Sequence, residues 1–174
     1  DGSIVAIGAH NNDGVYKSNI GHVRVYKNVS GVWTQIGADI DGEAAEDRSG
    51  SSVSLSSDGT RLAIDAPWNA SNESLSGHVR VYQWSGKDWT QLGTDIDGEA
   101  AGDQFGYHVS LATDGNRVAS GSGYADETGL DPGYVRAYDL SMLNTLRINA
   151  GLNDAWYNPD TSGQGFFINV FPGL

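Results

Sequence analysis

The sequence predicts an all-β protein built from about three consecutive four-stranded antiparallel blades, a partial β-propeller. Three observations carry this. First, the chain repeats: Gly-His-Val-Arg-Val-Tyr at 21–26 returns at 77–82 and, as Gly-Tyr-Val-Arg-Ala-Tyr, at 133–138, each time 56 residues on. Second, apolar residues inside the unit alternate with polar ones. Val53 and Leu55 stand between Ser52, Ser54 and Ser56, and Val23 and Val25 between His22, Arg24 and Tyr26, which is strand spacing rather than helix spacing. Third, glycine supplies 24 of 174 residues, about twice the usual ~7 %, and punctuates the runs as turns. Four strands per repeat of this length is the pattern of a propeller blade, and the coil of a β-solenoid is usually shorter.

The second copy is complete, with strands expected at about 49–57, 61–66, 77–84 and 88–96. Asp58-Gly59 lies between the first two, and Asp-Gly is a strong hairpin signal. The first copy lacks its opening strand, because Asp1-Gly2 already corresponds to Asp58-Gly59. The third copy runs from Phe105 to about 143, so residues 1–143 form the repeat region, with repeat starts near 21, 77 and 133. Residues 144–174 break the period. In this segment Thr145 to Ile148 reads as an outer strand for the third blade, and 164–171 reads as a further apolar strand. Two readings of 144–174 stand: a truncated module of a longer protein, or a strand that closes the incomplete first blade.

Phe105-Gly106, the Val-Ser-Leu strand, Asp114-Gly115, Arg117-Val-Ala, a variable loop and Gly-x-Val-Arg-x-Tyr together resemble bacterial relatives of the FG-GAP repeat. That repeat builds the propeller of integrin α subunits. The resemblance covers residues 1 to about 140 and implies a secreted or cell-surface protein, bacterial in origin. There are departures. The place of Phe105-Gly106 is held by Ser49-Gly50 one repeat earlier. The longer calcium loop of FG-GAP repeats is replaced by Ser57 to Thr60 and Thr113 to Asn116, too short for a cage.

Composition excludes several classes. With 10 Lys+Arg against 22 Asp+Glu the net charge is −12, so a basic face for nucleic acid or an anionic membrane surface cannot be assembled. Absence of cysteine removes disulfides, cysteine-based zinc sites and thiol catalysis. No apolar run approaches the roughly 20 residues of a membrane-spanning helix. The sequence has no Gly-x-Ser-x-Gly elbow, His-Glu-x-x-His pair or Walker loop, so no enzyme is expected.

The candidate site residues fall into three groups. Asp39, Asp41, Glu43 and Asp47 recur as Asp95, Asp97, Glu99 and Asp103. Several carboxylates on one loop suit a hard cation, so these eight are candidate Ca²⁺ ligands, with turn chemistry and solubility as the plain alternative. Arg24, Arg80 and Arg136 hold one repeat position and read as structural clamps whose planar fork grips the acidic loop of the same blade. Trp33 and Trp89 recur and read as packing, whereas Trp68, Trp84 and Tyr124 lie in or beside variable loops as candidate ligand contacts. His22 and His78 are repeat-equivalent and read as structural edge positions, while His10 and His108 have no counterpart.

The expected function is a non-enzymatic binding or scaffold module acting through propeller loops on a protein or other ligand. The alternative is a carbohydrate-binding, lectin-like propeller using the loop aromatics. An arc of three blades exposes an apolar face at each end, which predicts a homodimer or larger ring.

Overall fold

A computed structural model describes residues 2–123 and 133–140. Tyr124 and the whole of 144–174, with its expected strands, lie outside the described residues. The described chain is all-β, with no helix and three antiparallel sheets. The first contains β1 (Ile4–Ala9), β2 (His22–Val29) and β3 (Val32–Gln35) in that order, with β4 (Ile40–Asp41) also on β2. The second runs β5 (Val53–Leu55), β6 (Arg61–Ala66), β7 (His78–Trp84) and β8 (Trp89–Gln91), with β9 (Ile96–Asp97) also on β7. The third runs β10 (His108–Leu111), β11 (Arg117–Ser122) and β12 (Tyr134–Asp139).

Two strands depart from their expected extent, each for a local reason. The first strand of the second sheet begins at Val53 rather than near 49, because Gly50 adopts φ +85° and the Asp65 carboxylate takes the Ser52 N–H at 2.6 Å. The fourth strand is split. Between Tyr82↔Gln91 and Val79↔Ile96 the register slips by two residues, at a bend where Gly93 has φ +78°. The first sheet repeats this slip between Tyr26↔Gln35 and Val23↔Ile40. The Asp58-Gly59 turn forms as expected. The Asp58 carboxylate accepts the Ser56 hydroxyl at 2.7 Å and the Thr60 N–H at 3.0 Å, and these bonds hold its carboxyl below the ordinary value.

The period-two alternation sorts the side chains between two cores. Val23, Val25 and Ile40 of the first sheet meet Leu62, Ile64 and Tyr82 of the second. The opposite face of the second sheet, with Ala63, Val79, Val81 and Leu92, meets Phe105, Val109, Leu111 and Val118 of the third repeat. The sheets therefore stack face to face in sequence order. Hydrogen bonds join them at the edges: Ser52 and Ser54 hydroxyls accept the Val109 and Leu111 N–H groups at 3.1 and 2.9 Å, and the Trp89 indole donates to the Ile36 carbonyl at 3.3 Å. Strand-edge N–H groups that would otherwise need water or another strand are thus occupied.

Antiparallel registers place one set of chain segments at the same end of every sheet. Ala9 pairs His22 and Ala66 pairs His78, so the loops at 10–21 and 67–77 lie together. His22↔Asp41 and His78↔Asp97 bring the acidic loops to that end too. This end holds the site described next.

Candidate functional site

The acidic loops are shaped first by their own backbone. The buried Asp47 carboxylate accepts the Glu43 and Ala44 N–H groups at 3.2 and 2.8 Å, and Asp103 accepts those of Glu99 and Ala100 at 3.2 and 3.0 Å. Each turns inward and holds its loop closed. Tyr134 adds its hydroxyl to Asp103 at 3.0 Å, and burial together with this bond pushes the phenol up to about 12. Asp39 is gripped by both nitrogen arms of Arg24, at 2.9 and 2.6 Å, and also takes the Gln35 amide at 2.8 Å. The Arg24 bond is the main reason its carboxyl is held down at about 2.

The three repeat-equivalent arginines are clamps with two kinds of partner. Arg24 binds the loop of its own sheet. Arg80 instead reaches back to the preceding loop, with Nη1 3.2 Å from Glu43 and Nη2 donating to the Asp41 carbonyl at 3.2 Å. Arg136 likewise pairs with Glu99 of the preceding loop. Two of the three therefore stitch one sheet to the next, where the sequence pointed to the loop of the same blade.

Because Arg80 turns back, Asp95 is left without the arginine that its counterpart Asp39 enjoys. Asp95 receives the Gln91 amide at 2.6 Å and faces His78, whose Nδ1 is 3.6 Å away. His78 is fully buried, not an edge residue in the exposed sense, and neither ring nitrogen has a hydrogen-bond partner. Burial, and then the Arg80 guanidinium, hold the imidazole down at about 4, so it is neutral at pH 7. Ligand atoms of Glu43, His78 and Asp95 lie within 4.8 Å of one another. Among the described residues this group takes one carboxylate from each acidic loop rather than several from one. Partial desolvation of the Asp97 carboxyl, then nearby Asp95, raises it above the ordinary value.

The aromatic candidates separate. Trp68 stands at the loop end, with the Arg48 guanidinium stacked 3.9 Å above its ring. These two, with His10, Ser51, Pro67, Gln104, Tyr107 and His108, line a concavity of about 430 Å³. Trp84 is at the opposite end of the second sheet, opposite Trp89 in the register and 5.2 Å from it between ring centres. Trp68 and Trp84 therefore cannot serve one ligand. Trp89 packs as its recurrence implied, whereas Trp33, with no sheet laid over it among the described residues, is 47 % exposed. Arg48, Tyr107, His10 and His108 are the concavity residues that sequence reasoning did not bring together. Arg48, Tyr107 and His10 come from loops and His108 opens β10; the four hold different positions of the repeat, so its fixed interval does not bring them together.

No helix among the described residues is long and apolar enough to cross a membrane. No family model matches the sequence, and no curated protein matches it.

Proposed function

We propose that the chain is a non-enzymatic binding and scaffold module of a secreted or cell-surface bacterial protein, and that its stacked sheets are consecutive blades of an FG-GAP-like propeller. The observation that carries the binding reading is the Arg48–Trp68 concavity, where loops of successive repeats converge. A flat aromatic face beside a cation and two imidazoles offers stacking, charge and hydrogen bonding to one ligand. Loop ends positioned by rigid sheets are where such modules carry their contacts. The acidic surface disfavours nucleic acid as the partner.

The second reading is a carbohydrate-binding propeller. It is favoured by Trp68 at the loop end with Tyr107, itself 44 % exposed, on the same concavity, since sugar rings stack on such faces. Calcium on the acidic loops fits either reading, and it would raise the melting temperature in millimolar Ca²⁺ relative to EDTA.

A glycan array probed with the chain and with Trp68→Ala discriminates the two. Reproducible sugar binding lost in the variant selects the lectin; silence across the array leaves a protein or peptide ligand. Turnover of generic esters or glycosides by the purified chain would overturn the non-enzymatic reading.

A further inference from the structure

We propose that Glu43, His78 and Asp95 form a binding site for a divalent transition-metal cation of the zinc class, at the junction of the first and second sheets. The three come from different segments: the loop after β4, the first position of β7, and the bend before β9. Their ligand atoms lie within 4.8 Å of one another. Acidic residues alone would not make a site. The second observation is His78, whose imidazole is fully buried, has no hydrogen bond at either nitrogen and faces the Asp95 carboxylate. A buried ring with both nitrogens unpaired is costly unless something binds there.

Charge and donor chemistry select the ion. Glu43, Asp95 and Asp47, whose negative charge also acts on His78, outweigh the single Arg80 guanidinium. One imidazole with two carboxylates is a zinc-type donor set, whereas Ca²⁺ takes six or more oxygens. Ligand atoms about 2.0–2.1 Å from a tetrahedral ion sit about 3.3 Å apart, so the group must close somewhat. Glu43 can supply that movement: its side chain is about half exposed, and on leaving Arg80 it leaves that guanidinium its bond to the Asp41 carbonyl. Three protein ligands keep a coordination position for water or a partner's donor on the exposed Glu43 side.

The repeat itself shows that the set is particular to this junction. In the first repeat the counterpart of Asp95 is Asp39, already held by Arg24. In the third, Tyr134 replaces the histidine, so the imidazole donor is missing. The proposal does not rest on calcium binding by the acidic loops, although it draws on Glu43 and Asp95, two of the eight candidate calcium ligands.

The test is calorimetric titration of the EDTA-stripped chain with Zn²⁺, together with the visible absorption of a Co²⁺-loaded sample. The expected result is one equivalent bound, tetrahedral Co²⁺ bands, and no competition from millimolar Ca²⁺. Glu43→Gln and Asp95→Asn should each weaken Zn²⁺ at least about tenfold, His78→Asn should remove the Co²⁺ bands, and the exposed control Glu73→Gln should change nothing. If His78→Asn fails to fold, the two carboxylate variants decide. Absence of binding at about 100 μM Zn²⁺ overturns the proposal. So does affinity unchanged in both carboxylate variants, which would put the ion elsewhere, for example on His10 or His108.

Discussion

Asp65 shows how far one side chain can depart from what its neighbours in the sequence imply. It follows Ile64 in β6 and alternation alone would class it as polar-out, yet it is fully buried on the face toward the third repeat. One oxygen takes the Ser52 N–H, the other has no partner, and burial pushes the carboxyl up to about 8. Its folded value therefore lies above its unfolded one, so the folded state holds a proton that the unfolded chain releases. Stability from this group is complete below about pH 4 and declines as pH rises towards 8, with a limiting slope of about 1.4 kcal/mol per pH unit. Asp65→Asn keeps the acceptor for Ser52 and cannot ionise. Thermal melts of both forms across this range should nearly coincide near pH 4 and separate progressively, with the variant several degrees higher by pH 8. Parallel curves would show that Asp65 is not buried as described. Comparing the two proteins cancels His78, whose depressed value gives the opposite slope: its contribution is complete above pH 6.5 and lost as pH falls towards 4.

At the scale of the element, strand existence and order were legible because alternation and a fixed repeat interval both follow from the pleat and the stack. Val23, Val79 and Val135 could be assigned one role from position alone. What alternation does not encode is partner choice between successive repeats. The same arginine position serves its own loop at Arg24 and the preceding loop at Arg80 and Arg136, since the choice depends on which loop lies beside it. Ser52 and Ser54 read only as the polar half of a strand, yet their hydroxyls cap the N–H groups of Val109 and Leu111 in the next sheet. Two-residue strands such as β9 escape detection because pairing resumes only after the slip at Gly93. Gly77 was visible as a recurring residue, and the structure supplies the reason. Its φ is +71°, and a Cβ there would collide with the backbone of Phe105, where the third repeat's chain crosses. Relief would need backbone movement at the bonds from Phe105 N–H to Ser76 O, 2.9 Å, and Gly98 N–H to Gly77 O, 2.9 Å. Gly77→Ala should therefore destabilise by about 3 kcal/mol or more, measured by urea unfolding, against a smaller loss of about 1–2 kcal/mol for Gly86→Ala, in an open turn where φ +92° brings the conformational penalty alone. Equal effects of the two would contradict the close approach at Gly77.

At the scale of the whole molecule, the two outermost faces among the described residues are built from the positions that pack inside the stack. Ile64 is 1 % exposed between the first and second sheets, and its counterpart Ile7 on the outer face of the first is 52 % exposed. Val79 is fully buried between the second and third, and its counterpart Val135 on the outer face of the third is 77 % exposed. Ala119 and Ala137, cross-strand partners beside Val135, extend that face. Apolar sheet faces of this kind are made to receive another layer, and a second copy of the chain presents two such faces with the same repeat geometry. Six blades from two chains fall within the ~4–8 of closed propellers. The tail strand expected at 165–171 offers a cover within the chain, but it lies outside the described residues. The proposed propeller is thus one that this chain completes by association. Light scattering on the purified chain at micromolar concentration decides this: association should give a mass of at least twice 18.4 kDa, and a monodisperse species of the single-chain mass would contradict it.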